Sequence, residues 1–228
     1  MLYPLYHDKE AIVVVVDIFR ASTSIITAFK NGAASVRPVA TVEEAMDYKE
    51  KGWLVGAERN VKRCDFADFG NSPFDYTEEK VSGKDIVFTT TNGTKAINAA
   101  KEAAEVIVGG FVNLQAVADF CMKRDKNVVV LCSGWNDKIN IEDTIFAGAL
   151  VSVLTKTGHF SPTGDAAMIA RDLWLFNKNN LSSYITNCEH MERMRRNNLD
   201  DSVPYCLSMS ITKKVPRLTK EDEILILR

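Results

Sequence analysis

A chain of 228 residues, 46% hydrophobic and 25% charged, has the make-up of an ordinary globular protein long enough to bury a substantial core. Its 28 basic and 30 acidic residues leave a formal charge of -2, so no overall field draws it to nucleic acid or to an anionic membrane. Five cysteines, Cys64, Cys121, Cys132, Cys188 and Cys206, form an odd, scattered set with no Cys-x-x-Cys pair, as expected for reduced thiols in the cytoplasm. His7, Asp8, Lys9 and Glu10 stand where a signal peptide needs an apolar run, and no stretch approaches the roughly 20 apolar residues of a membrane span.

Ile12 to Val16 is a run of five β-branched residues, the pattern of a strand buried on both faces in a parallel sheet. Short apolar runs recur at 35–39, 53–55, 86–89, 106–108 and 128–132, most of them separated by segments of helical periodicity. That alternation predicts an α/β fold, a three-layer α/β/α sandwich with a mainly parallel sheet. Thr41 and Glu44 make a capping box and Gly52 a stop for one helix, Asn113 is placed to cap another, and Glu142 and Asp143 open a third that Gly158 ends. Beyond Gly158 the texture changes to an amphipathic stretch at 165–176, a polar one at 177–187 and a basic, Met-rich one at 190–196, which reads as a helical C-terminal third. Residues 223–227 read as a last strand, an edge one by its position. One domain over 1–228 is expected, with a core of 1–157 and a helical portion of 158–228 as the alternative division.

In a parallel α/β sheet the working crevice lies outside the carboxyl ends of the strands. Asp17 follows the first strand, and an ionised carboxylate there needs a partner to offset its desolvation: either Arg20 in a structural ion pair or a divalent cation. Magnesium takes one or two protein carboxylates plus water and substrate oxygens, a requirement that Asp17 with Glu142 or Asp143 would meet. The plainer account of Glu142 and Asp143 is favourable charge at a helix start. Thr89 to Thr94 puts hydroxyls, an amide and a glycine at another helix start, which is either a well-capped turn or a phosphate site, and the start at Arg20 to Ser24 adds a second anion-friendly terminus beside a guanidinium. Glu58-Arg59, after the strand at 53–55, and Asn71-Ser72-Pro73 are further polar clusters that a solvated loop would also explain. Sequence offers no histidine dyad, no Gly-x-Gly-x-x-Gly, no phosphate loop ending Gly-Lys-Ser/Thr and no Gly-x-Ser-x-Gly elbow, and Asp17 lacks the second Asp two residues on that haloacid-dehalogenase-type phosphatases carry.

Taken in order, Val16-Asp17-Ile18-Phe19-Arg20-Ala21-Ser22-Thr23, Pro38-Val39-Ala40-Thr41-Val42-Glu43-Glu44-Ala45, Gly56-Ala57-Glu58-Arg59, Gly70-Asn71-Ser72-Pro73, Thr89-Thr90-Thr91-Asn92-Gly93-Thr94, Cys132-Ser133-Gly134 and Glu142-Asp143-Thr144 resemble the 2-phosphosulfolactate phosphatase family across about the first two thirds of the chain. The resemblance implies Mg²⁺-dependent hydrolysis of a small acidic phosphoester to sulfolactate and phosphate, a step of coenzyme M synthesis. It implies Asp17, Arg20, Glu142 and Asp143 as catalytic; the assignment of Asp17 and Asp143 to the metal rests on the chemistry of their carboxylates and not on the motif. Ser22, Thr23, Glu58, Arg59, Asn71, Ser72, Thr90, Asn92, Gly93, Thr94 and Ser133 are implied as substrate-binding positions. A homodimer is left open. The last third departs from the pattern: His190 stands where the family has a Ser-x-x-His-Gly element, but the Gly is missing, and Ser210 replaces an Asp. A non-catalytic sensor of a small phosphorylated or sulfonated metabolite would use the same anion sites and is the rival reading.

Overall fold

The computed structural model describes residue 3 and residues 7–136, 138–221 and 224–228. Its centre is β1 (Ile12–Val16), whose five residues are all buried. β1 lies between β6 (Glu105–Gly109) and β7 (Val128–Cys132), parallel to both, with Val14 opposite Ile107 on one side and Val130 on the other. Period-two alternation sends Ile12, Val14 and Val16 to one face and Val13 and Val15 to the other. Each side chain so buried contributes roughly 1.5–3 kcal/mol, which is why a strand with no polar residue is stable only here.

The second sheet runs β4-β3-β5-β2-β9-β8. In it β2 (Ser35–Pro38), β3 (Leu54–Arg59) and β5 (Asp85–Thr89) are parallel, while β4 (Lys62–Arg63), β8 (Leu218–Glu221) and β9 (Ile224–Leu227) pair antiparallel. A bridge between Ile107 and Arg217, beside the Val108 N–H donating to the Pro216 carbonyl at 2.9 Å, ties the free edge of β6 to the chain entering β8. The closing strand therefore lies inside its sheet, between β2 and β8, and not at the edge; position 223 lies outside the described residues. β3 extends four residues beyond the apolar run at 53–55, because Glu58 and Arg59 turn directly into the short hairpin with β4, so these two residues end a strand and do not follow one.

Helices cover both faces. α1 (Ala21–Lys30) and α4 (Gly93–Ala100) pack on the Val13/Val15 face, and α5 (Leu114–Met122) and α6 (Ile141–Thr155) on the Val14/Val16 face. α2 (Val42–Glu50) covers Val55 and Val87 through Ala45, and α3 (Glu78–Val81) is a single turn before β5. The Thr41 hydroxyl accepts from the Glu44 N–H at 3.1 Å, as expected of the N-cap, while the Glu44 carboxylate accepts from the Ala40 N–H at 3.2 Å, one residue before the cap, and not from Thr41 itself. Asn113 does not cap α5 with its side chain; its oxygen accepts from Gly110 N–H and its amide donates to the Val108 and Lys214 carbonyls, fastening the loop after β6 to the C-terminal segment.

The C-terminal third is α7 (Asp165–Asn177), α8 (Leu181–Ile185), α9 (Glu189–Arg196) and α10 (Val203–Cys206). Leu181, Ile185, Met191, Met194, Cys206 and Leu207 share one buried cluster with Val14, Val16 and Ile145, so this portion is built into the core of β1 and is no appendage. α6 and α7 touch backbone to backbone at Gly148, where an added Cβ would lie 1.9 Å from the Ala170 carbonyl oxygen. No helix among the described residues is long and apolar enough to cross a membrane.

Candidate active site

The carboxyl ends of β1, β3, β5 and β7 meet in one cleft, lined by Asp17, Phe19 and Arg20 after β1, Glu58 at the end of β3, Asn71 in the loop after β4, Thr90, Thr91 and Asn92 after β5, and Gly134 and Trp135 after β7. His190 and Met194 of α9 and Leu199 close the opposite wall. The site thus draws on both halves of the chain.

Asp17 caps the helix that follows it. Its Oδ1 accepts from the Ala21 N–H at 3.3 Å, its carbonyl accepts from the Ser22 N–H at 2.9 Å, and its own N–H donates to the Ser22 hydroxyl at 2.8 Å. Asp17 thus takes the Ala21 and Ser22 N–H groups at the start of α1, through its carboxylate and its carbonyl. Ser22 and Thr23 are buried with their hydroxyls turned to the backbone, Thr23 donating to the Ile18 carbonyl at 3.0 Å, and neither lines the cleft. No ion pair joins Asp17 to Arg20 among the described residues. Arg20 is instead buried in the cleft wall with one long side-chain hydrogen bond among the described residues, Nη1 to the Ser202 hydroxyl at 3.4 Å, and burial lowers its pKa. A guanidinium has five N–H donors, so most of its bonding capacity faces the cleft unspent.

Glu142 and Asp143, in the first turn of α6, are fully buried beneath the cleft. Asp143 Oδ1 accepts from the Ile18 N–H at 2.9 Å and Oδ2 from the Gly134 N–H at 3.3 Å, so it clamps the loops after β1 and β7 together. Glu142 holds His190 Nδ1 through its Oε1 and lies 3.9 Å from Cys188 Sγ through its Oε2. That pair leaves Nε2 as the ring nitrogen available to a molecule in the cleft. Burial, then the negative charges of Glu142 and Asp17, push the Asp143 pKa well up, against the pull of its two backbone donors. Asp17 is pushed up to about 6, by burial first and further by Glu58 and Glu142, with His190 and the Ala21 N–H acting the other way. Concentrating carboxylates in a desolvated place costs stability, and sites of this kind are where function is first sought.

Glu58 accepts from the Val61 N–H at 2.7 Å and, at 3.5 Å, from Asn71 Nδ2 and the Thr91 hydroxyl. Asn71 Oδ1, Thr90 Oγ1 and Ser133 Oγ are buried without a hydrogen-bond partner among the described residues, a costly arrangement unless a ligand or water completes it. The N–H groups of Gly93 and Thr94 at the start of α4 take no hydrogen bond among the described residues, and Gly93 lets Asp17 approach: a Cβ there would sit 3.2 Å from Asp17 Oδ2 and 2.7 Å from the Ala21 side chain. Thr94 bonds back to the Thr90 carbonyl at 3.0 Å. Ser72 begins the turn at Pro73–Asp75, and Arg59 lines a neighbouring cavity; neither lines the cleft.

Sequence reasoning passed over the His190–Glu142 pair, and it read the arginines of α9 only as crowding. Arg193 stacks on Trp135, 4.0 Å from the ring centre, with Nε and Nη2 buried and unpartnered among the described residues. Neither feature has a local signature, because the partners are 48 and 58 positions apart, at Glu142–His190 and Trp135–Arg193.

Over residues 3–221 the chain matches the family described as 2-phosphosulpholactate phosphatase. A Thermotoga maritima protein named "Probable 2-phosphosulfolactate phosphatase" is 36% identical over 205 residues, covering 90% of this chain and 88% of its own length. Proteins of the same name from Clostridium novyi and Caldanaerobacter subterraneus subsp. tengcongensis are 35% and 36% identical, covering 91% and 92% of this chain and 89% and 88% of theirs. A match of this extent takes in the last third as well as the first two, and on it the chain belongs to the 2-phosphosulfolactate phosphatase family.

Proposed function

We propose that the protein is a phosphoric monoester hydrolase that uses Mg²⁺ to convert 2-phosphosulfolactate, or a closely related small acidic phosphoester, to the free hydroxy acid and phosphate. The observation that carries this reading is the meeting in one cleft of Asp17, Arg20, Thr90, Asn92 and the Glu142-held His190. Hydrolysis needs charge neutralisation at the phosphoryl oxygens, a positioned water and a proton for the departing alkoxide. The buried Arg20 guanidinium, with donors to spare, and the open start of α4 supply the first.

The donor set suits magnesium. Asp17, which lines the cleft, is a hard oxygen donor, the orphaned Asn71 Oδ1 and Thr90 Oγ1 are oxygens that the ion's water shell would satisfy, and Asp143, its two oxygens committed to Ile18 and Gly134, would contribute negative charge from beneath. When bound there the ion neutralises phosphoryl charge and makes a bound water more acidic. The residues themselves do the rest: Asp143 holds the two loops in register through Ile18 and Gly134, Glu142 fixes the ring of His190, and His190 Nε2 delivers a proton to the alkoxide oxygen as the phosphorus–oxygen bond breaks. The new phosphorus–oxygen bond forms from water, whose proton leaves to the nearest free carboxylate.

Purified protein incubated with 2-phosphosulfolactate should release phosphate with Mg²⁺ present, lose that activity in EDTA and regain it on adding Mg²⁺ back. Tight binding of the ester without turnover across a range of divalent cations would favour a sensor and defeat the hydrolase reading.

A further inference from the structure

Beyond Thr90 and Thr91, which wall the cleft, lies a second cavity of about 320 Å³ reaching Ala40, Arg59, Thr94, Lys95 and Asn98. Its chemistry is the reverse of its neighbour's, for no carboxylate lines it. Arg59 is held rigid by the Glu58 carbonyl at 2.7 Å, the Thr89 hydroxyl at 2.8 Å and the Ala40 carbonyl at 3.4 Å, all neutral acceptors, so its charge stays uncompensated. Three of its five N–H donors are engaged and two remain. Lys95, exposed in the first turn of α4, has no ion-pair partner among the described residues. Thr90 is 4% exposed, belongs to both cavities, and its hydroxyl has no hydrogen-bond partner among the described residues.

Two anion positions of different kinds therefore share one wall. The cleft at Asp17 is rich in carboxylates and suits a phosphate only with a cation between them. The cavity at Arg59 presents two cationic side chains and, among its described lining residues, no carboxylate, a lining suited to an oxyanion without a bridging cation. Resting on the proposed activity above, we propose that the non-reacting sulfonate of the substrate binds in this second cavity, paired with Arg59 and Lys95 and hydrogen-bonded by the Thr90 hydroxyl, so that Lys95 is a specificity-determining residue. A sulfonate is fully ionised and presents three acceptor oxygens, one for each of a guanidinium, an ammonium and a hydroxyl.

The test has two arms. In the first, kcat/KM is measured for 2-phosphosulfolactate and for 2-phospholactate, the same ester without its sulfonate, in the wild type, Lys95→Ala and Lys95→Arg. The preference for the sulfonated ester should fall at least tenfold in Lys95→Ala, through KM, and be kept in Lys95→Arg; an unchanged preference overturns the assignment. In the second, sulfolactate and lactate are titrated calorimetrically into the same three proteins. Sulfolactate should bind at least tenfold more weakly to Lys95→Ala, and equal dissociation constants in all three overturn the assignment. If the wild type hydrolyses neither ester, the proposed activity fails while the titration still decides whether the sulfonate site exists.

Discussion

Replacing Asp17 by Asn should raise stability in the absence of metal while removing activity, and the two effects have one cause. The Asp17 carboxyl has a folded-state pKa of about 6 against an ordinary value of 3.8, raised chiefly by burial. A raised acid is protonated in both states below pH 3.8 and costs nothing there; as pH rises through 6 the folded state is obliged to ionise it unfavourably, and stability is lost. A shift of about 2 units sets a ceiling of roughly 3 kcal/mol on that loss. For a chain of this size each kcal/mol moves Tm by about 2–4 °C, so a realised 1–2 kcal/mol gives roughly 2–8 °C. The assay is thermal unfolding of wild type and Asp17→Asn in EDTA at pH 8 and at pH 4. The variant should melt higher at pH 8, most of the gain should be gone at pH 4, just above the unfolded value, and Mg²⁺ at pH 8 should raise the wild type but not the variant. An Asp17→Asn protein that melts lower than the wild type at pH 8 in EDTA would mean that the ionised carboxylate is net stabilising where it sits, and the account of a desolvated, strained Asp17 would fail.

The strands and the crevice they make were legible because they depend on local pattern. A run such as 12–16 has only one environment that accepts five β-branched residues, and the polar residues after it and after β7 lie side by side because the two strands are parallel neighbours, whereas those after β5 reach the same cleft from the second sheet. Details that depend on which atom bonds which were not legible. Ser22 and Thr23 look like substrate ligands in a motif, yet their hydroxyls are spent on the backbone of the sharp turn after β1. Glu142 and Asp143 look alike as a pair, and only the packing of α6 against the loops shows that one clamps Ile18 and Gly134 while the other holds a histidine. His190 was hidden for a further reason: α9 is charged and weakly apolar, and what carries it to the cleft is the burial of Met191 and Met194 against the β1 core, a long-range event with no local signature. The position of β9 between β2 and β8 is of the same kind, since a terminal strand reads as an edge until its partners are known.

Two further substitutions probe the parts of the site supplied by the second half of the chain. His190→Gln should lower kcat on an alkyl phosphoester on the order of 100-fold and on p-nitrophenyl phosphate far less, because p-nitrophenolate leaves without a proton; equal losses on the two esters would remove His190 from the role of acid. Gly148→Ala tests whether α7 is fixed to α6 by backbone contact. The added Cβ would fall 1.9 Å from the Ala170 carbonyl oxygen and 2.4 Å from its carbon, so the helices must separate or α6 must shift along its axis. Overpacking of this sort costs about 1–3 kcal/mol, a fall in Tm of roughly 2–12 °C. Since the obstructing atoms belong to the main chain, shortening the opposing side chain cannot relieve them: the double variant Gly148→Ala with Ala170→Gly should melt no higher than Gly148→Ala alone. Glu142 and Asp143 sit one to two turns along the same helix, so a shift of α6 should also weaken the clamp on Ile18 and Gly134 and lower kcat in step with Tm. Restoration of Tm by Ala170→Gly would show that the side chain at 170, and not the crossing of the two backbones, sets the spacing.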